Sequence, residues 1–103
     1  MTYEQALTVL ADPTRRAVFE RLREGPRSVA EIAAGLPVSR PAVSQHLKAL
    51  KAADLVRDEA RGTARIYRIH APGLLELRTW VESFWDEALS NFKTFAENED
   101  ERG

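Results

Sequence analysis

Ser39-Arg40-Pro41-Ala42-Val43-Ser44-Gln45-His46-Leu47-Lys48-Ala49-Leu50 is the stretch from which the rest of the chain can be read. Val43, Leu47 and Leu50 recur at helical spacing, which predicts one buried stripe on an α-helix. Ser39 stands where an N-cap belongs. Pro41 falls at the second helical position, where a missing amide costs nothing. The side opposite the stripe holds Pro41, Gln45 and Lys48, with Ala49 and Ala52 alongside and with Ser44 and His46 at its margins. Short side chains among polar ones let such a face approach another surface closely.

Working outward from this helix, Pro37-Val38 makes a tight turn. Before it, Ser28-Val29-Ala30-Glu31 is a capping box. It opens a helix of about two turns that carries Val29, Ile32, Ala33 and Leu36 and ends near Gly35, too short to stand without packing partners. Asp12-Pro13 opens an earlier helix with Val18, Phe19 and Leu22 inside, and Gly25-Pro26 stops it. Tyr3, Leu7 and Leu10 mark a short amphipathic helix at the start. On the other side, Leu55–Arg61 and Ala64–His70 read as two strands around a Gly62-Thr63 turn, with Tyr67 and Ile69 on one face and Ile66 and Arg68 on the other. Pro72-Gly73 separates this hairpin from a final helix, Leu74 to about Ala96, and residues 97–103 read as a solvated acidic tail. Two short helices joined by a four-residue turn, followed by a basic hairpin, have the layout of a winged helix-turn-helix. The expected fold is mainly α with a small β-hairpin wing. Residues 1–103 form one domain, with the helix-turn-helix at 29–53, the wing at 55–70 and a dimerisation helix at 74–96.

The chain has 103 residues, 44% of them hydrophobic, and no Cys. That is one domain with one modest core. Without Cys there are no disulfides, thiolate metal sites or cysteine nucleophiles. No apolar run approaches membrane-spanning length, and Met1–Gln5 lacks the character of a secretory signal. A cytoplasmic location is therefore expected. The net charge of −1 hides a strong asymmetry. Residues 1–70 hold 12 Lys or Arg against 8 Asp or Glu, whereas residues 71–103 hold 3 against 8. One surface is suited to an anionic partner and the other is not.

A helix-turn-helix lays its second helix in the major groove of duplex DNA. On that reading Gln45 is the base reader, because a carboxamide pairs bidentately with adenine. Lys48 and Arg40 suit phosphate or guanine, while Ser39 and Ser44 permit close approach. Arg57, Arg61, Arg65 and Arg68 surround the hairpin turn, where arginines meet phosphates or a minor groove. Asp58 and Glu59 dilute that patch, so Arg61 and Arg65, nearest the tip, are the wing residues expected on DNA. The structural counter-reading makes Gln45, Lys48 and Lys51 merely the solvated side of a surface helix. The small residues beside them and the basic hairpin next door favour the groove.

These residues resemble a known family. Ser39–Val56, with its Ser44-Gln45-His46-Leu47 core, is similar to the recognition-helix signature of ArsR/SmtB-type bacterial repressors. Leu10-Ala11-Asp12-Pro13-Thr14-Arg15-Arg16 resembles that family's second-helix opening, and Arg61-Gly62 with Tyr67-Arg68-Ile69 resembles its wing. The likeness covers about residues 7–70. It implies a homodimeric transcriptional repressor bound to a pseudo-palindromic operator near its own promoter, with His46 in a packing or phosphate-contacting role. Metal-sensing members carry thiolates on the helix matching Val29–Leu36, or His and carboxylate ligands on the last helix. Here the former has no Cys, and the latter offers only Glu76, Glu82, Asp86 and Glu87. Carboxylates alone suit soft or borderline metals poorly. The resemblance is thus to the non-metal-sensing branch, and no cofactor is expected.

Leu74, Leu77, Val81, Phe84, Ala88, Phe92 and Phe95 form a stripe along the final helix, and Trp80, Trp85 and Leu89 widen it. A helix on one small core needs a single stripe. The surplus predicts pairing with a second copy through Leu77, Trp80, Val81, Phe84, Trp85, Ala88 and Phe92, aided by Leu7 of the first helix. An inducer ligand or sequestering protein is not legible. The rival to a DNA-binding regulator is a winged-helix protein-interaction module. No phosphate loop, zinc motif or nucleophile elbow supports an enzyme.

Overall fold

Side-chain caps set the helix boundaries through the first half of the chain. The computed structural model describes the backbone of residues 2–102 and the side chains of residues 2–99. Helix α1 (Tyr3–Leu10) starts from a reciprocal capping box between Thr2 and Gln5. Helix α2 (Pro13–Glu20) starts from Asp12, whose Oδ1 accepts the Arg15 amide at 2.9 Å. That bond is the largest influence holding the Asp12 carboxyl below its ordinary pKa. The guanidinium groups of Arg15 and Arg16 reach back to the Val9 and Leu10 carbonyls at 3.4 and 3.1 Å. They thereby satisfy the open carboxyl end of α1. The Asp-Pro-Thr-Arg-Arg run is thus a two-helix splice.

Helix α3 (Val29–Ala34) lies between the Ser28/Glu31 capping box and Gly35, as its sequence predicts. Helix α4 (Arg40–Ala52) begins at Ser39, whose Oγ accepts the Ala42 amide at 3.3 Å. Strands β1 (Arg27–Ser28), β2 (Val56–Arg61) and β3 (Ala64–Ile69) form an antiparallel sheet in the order β1-β3-β2. Strand β1 is a correction to the two-stranded expectation. Two residues are too few to show alternation, and Arg27 is placed by tertiary bonding, its Nε donating to the Arg21 carbonyl at 2.9 Å. Leu55 and His70 lie just outside the ladder, although the His70 amide still closes the hairpin base on the Leu55 carbonyl at 2.9 Å. At the tip Gly62 is left-handed at φ 59°. Gly at the first of two turn residues is what a type II′ hairpin turn requires.

The core gathers Ala6, Val18, Phe19, Leu22, Ile32, Val43, Leu47, Leu50, Ala53, Leu55 and Val56. Tyr67, Ile69 and Leu74 pack on its margin. In α1 the fully buried residue is Ala6, whereas Leu7 remains 39% exposed.

The last helix differs most from expectation. Helix α5 (Ala71–Arg102) begins three residues early and continues through residues 97–102, most of the stretch expected to be a solvated acidic tail. Pro72 and Gly73 do not separate it from the hairpin; they form its first turn. A proline there forfeits no hydrogen bond. Gly73 is needed because a Cβ would overlap the Asp54 carbonyl oxygen, where the end of α4 meets the start of α5. Beyond Ala96, no Gly or Pro interrupts the helix before Arg102, and Glu97–Glu99 lie exposed on it. Alongside its first half runs α1: Tyr3 stacks on Trp80 at 5.1 Å, and Trp80 meets Phe84 edge-on at 5.0 Å.

One carboxylate joins α4 to the sheet. The Asp58 side chain, only 5% exposed, takes Lys51 Nζ on Oδ1 and Arg65 Nη1 on Oδ2, each at 2.8 Å. The hydrogen bond from Lys51 holds the Asp58 carboxyl below the ordinary carboxylate range; burial opposes this, and Arg65 adds to the lowering. A depressed folded-state pKa contributes stability that is complete above the unfolded value of about 4. That contribution disappears as pH falls through the folded value.

Two outcomes follow. Gly73→Ala should destabilise the chain by about 1–3 kcal/mol in urea unfolding, because overpacking outweighs alanine's helix preference of about 1 kcal/mol. An unchanged midpoint would refute the close approach. Asp58→Asn should destabilise by about 1–3 kcal/mol at neutral pH and should lose less stability than wild type between pH 5 and pH 3 on the unfolded-value argument above. Parallel pH profiles would show that the carboxylate contributes no pH-linked stability.

Candidate nucleic-acid interface

The polar side of α4 is built by exclusion. Val43, Leu47 and Leu50 have no solvent exposure. A helix held on that stripe must turn Pro41, Ser44, Gln45 and Lys48 outward, and all four are exposed. Ser39 and Arg40, at its amino end, are exposed too. The Ser39 hydroxyl is already engaged as the cap, so it shapes the approach rather than reaching outward. The structure therefore brings Arg40, Pro41, Ser44, Gln45 and Lys48 onto one open surface at the leading turns of α4.

His46 is placed differently. It is half-buried, and Asp12 at the start of α2 feels its charge as the smallest of several contributions, behind the dominant Arg15 amide. This side chain faces the α2 side of its helix.

Within the wing the arginines divide by partner. Arg61, at the tip, is exposed and lies 3.5 Å from Glu59 on an open surface. Arg57 holds Asp54 at 2.7 Å. Arg65 is exposed, but its guanidinium is occupied by the buried Asp58. Among the described residues from 40 to 70, Arg40, Lys48 and Arg68 are the cations without a carboxylate partner. Register separates Arg68 from the expected wing residue Arg65: Arg68 pairs across the ladder with Arg57 on the outer face, whereas Asp58, the partner of Arg65, sits opposite Tyr67.

The residues expected at a dimer seam all lie on α1 and α5. Val81, Phe84, Trp85, Ala88 and Phe92 are exposed, as is Leu7; Leu77 and Trp80 are half-buried, the latter against Tyr3. Phe92 is 69% and Trp85 64% exposed, values far from those of a core. Leu75, Leu89 and Phe95 extend the same exposure. Among the described residues, no three His, Asp or Glu side chains converge to hold a metal ion, and no helix is long and apolar enough to cross a membrane.

Comparison with known proteins bears on this geometry. A helix-turn-helix domain model matches residues 10–59, spanning α2 to most of β2. The chain is 51% identical over 96 residues to the HTH-type transcriptional regulator Rv2034 of Mycobacterium tuberculosis (strain ATCC 25618 / H37Rv), covering 93% of this chain and 90% of that protein. An ArsR-like transcriptional regulator from Rhodococcus sp. RHA1 superposes with a TM-score of 0.74 at 31% identity, covering 91% of this chain and 92% of that one. The homodimeric winged helix-turn-helix DNA-binding domain of Mb0332 from Mycobacterium bovis, described as a possible ArsR-family regulator, superposes with a TM-score of 0.66 at 30% identity over 85% and 82% of the two chains. With the exposed face of α4 in the position of a recognition helix and the hairpin beside it as a wing, the chain belongs to the ArsR/SmtB family of winged helix-turn-helix transcriptional regulators.

Proposed function

We propose that this regulator binds as a homodimer to an inverted-repeat operator, represses transcription from it, and does so in the cytoplasm without a metal ion as its signal. The observation that carries the dimer is the unpartnered length of α5. Thirty-two residues of helix span about 48 Å, and the radius of gyration is 19.0 Å where a compact chain of this size has about 13 Å. Along that helix Val81, Phe84, Trp85, Leu89, Phe92 and Phe95 are each half or more exposed. Contiguous apolar surface of this extent is uncommon on a monomer and marks an interaction site. The groove of about 700 Å³ lined by Leu74, Leu75, Leu77 and Val81 continues the same face. A second copy supplies matching apolar surface, and two-fold pairing is the commonest closed assembly.

On DNA, α4 enters the major groove with Gln45 reading a base edge. Arg40 and Lys48 meet phosphate or guanine, and Ser39, Pro41 and Ser44 line the approach, while the half-buried His46 packs behind them. The wing supplies Arg61, with Arg68 beside it as a further cation. Two-fold symmetry places half-sites about one helical turn apart. Metal independence rests on the donor set, because the chain has no Cys and α5 has no His.

Sedimentation should give twice the chain mass of 11.6 kDa at micromolar concentration. Joint Phe84→Glu and Phe92→Glu substitution should yield folded monomers. A monomeric wild type would remove the dimer from this reading. Genomic-fragment selection at about 150 mM salt should recover an inverted repeat, with and without a chelator; chelator-dependent recovery would overturn metal independence. On that recovered site Gln45→Ala should cost about 5- to 150-fold in affinity while sparing a scrambled duplex. Lys48→Ala should weaken both duplexes and flatten the salt dependence by about one in slope. Equal loss on both sequences for Gln45→Ala would remove its base-reading role.

A further inference from the structure

Asp58 is an unusual residue for its position. Val56 is buried, and Tyr67, across the ladder from Asp58, packs on the core margin, so Asp58 falls on the inward side of the sheet. Its side chain is 5% exposed, against 28% for Asp54 and at least 49% for each of the other ion-paired carboxylates, Glu20, Glu24, Glu59 and Glu82. Apolar side chains commonly serve stability as well as a charge at such shielded sites. What a carboxylate adds is direction. Each oxygen takes one cation, and the two cations come from different elements, Lys51 from the last turn of α4 and Arg65 from β3. Recognition helix and wing are tied through a single group.

The same bonds govern charge. Lys51 and Arg65 have half-exposed side chains beside the face proposed to meet DNA. Released, they would add sequence-independent affinity for any phosphate backbone. Held on Asp58, they are pinned to the fold, whereas Arg40, Lys48 and Arg68 carry no such partner among the described residues.

Resting on the DNA-binding reading above, we propose that Asp58 is a positioning residue for operator discrimination. It fixes the wing against the recognition helix through Lys51, braces the hairpin through Arg65, and keeps both cations off the phosphate backbone. Duplexes are then selected by the contacts of α4 and the wing tip instead of being held for their charge.

The test compares wild type with Asp58→Asn on two duplexes, the site recovered by selection and a mixed-sequence duplex of about 30 base pairs, across a salt series. With folding verified by a cooperative melt, Asp58→Asn should bind the mixed-sequence duplex more tightly. Its log–log salt slope there should steepen by about one to two. The ratio of selected to mixed affinity should fall by about tenfold or more. Lys51→Met, which leaves the Arg65 bond to Asp58 in place, covers the case in which Asp58→Asn fails to fold. It should lower the same ratio without changing the mixed-sequence slope. A slope flattened by about one in Lys51→Met would make Lys51 a phosphate contact and overturn the proposal. So would an Asp58→Asn protein identical to wild type in slope and ratio. A wild type that binds neither duplex would instead overturn the DNA-binding reading on which the proposal rests.

Discussion

Rotation of α4 about its own axis is fixed by three side chains, Val43, Leu47 and Leu50, that have no contact with solvent. Turning the helix by even one residue would drive Ser44 or His46 into the core. It would also expose apolar surface worth about 1.5–3 kcal/mol for each large side chain. That constraint decides which residues remain outside. Gln45 and Lys48 are presented because their helix has no other way to bury its stripe, and the hairpin inherits its place from the same core through Leu55 and Val56. The exposed face of α4 is thus the complement of a packing solution.

Charge obeys a similar economy. The amino-terminal two thirds of the chain is basic, yet most of its cations are engaged in holding the fold. Arg15 and Arg16 close the end of α1, and Arg21 donates to the Glu31 carbonyl. Arg27 fixes β1, Arg57 holds Asp54, and Lys51 and Arg65 share Asp58. Net basicity therefore overstates the charge available to a nucleic acid. Local pairing, which sequence composition does not display, separates structural arginines from those open to a phosphate.

Helix α5 divides along its length. Its first turns are fastened to the body by Leu74 and by the close approach at Gly73, and Trp80 rests on Tyr3. Farther on, the apolar stripe continues with its large side chains half or more exposed among the described residues. The acids Glu82, Asp86, Glu87, Glu97 and Glu99 lie exposed along this length. Packing of an apolar face contributes most of a helix's stability.

Most elements were legible in the sequence because their signals are local. Caps at Asp12, Ser28 and Ser39, the stripe of α4 and the Gly62-Thr63 turn depend on neighbours within a few residues, and all stand where the residues place them. The outward face of α4 followed from the same periodicity. Tertiary structure alone decided the features set by distant contacts. Strand β1 exists because Arg27 and Ser28 meet Tyr67 and Ile66 across some forty residues of chain. Pro72-Gly73 opens a helix because the Asp54 backbone, packed against it, leaves no room for a side chain and none is present. Arg65 turns inward to a carboxylate while Arg68 has none among the described residues, although both lie on β3 beside the same turn. Local sequence determines which backbone conformations are cheap; which charges meet, and which remain for a partner, depends on how the chain folds back on itself.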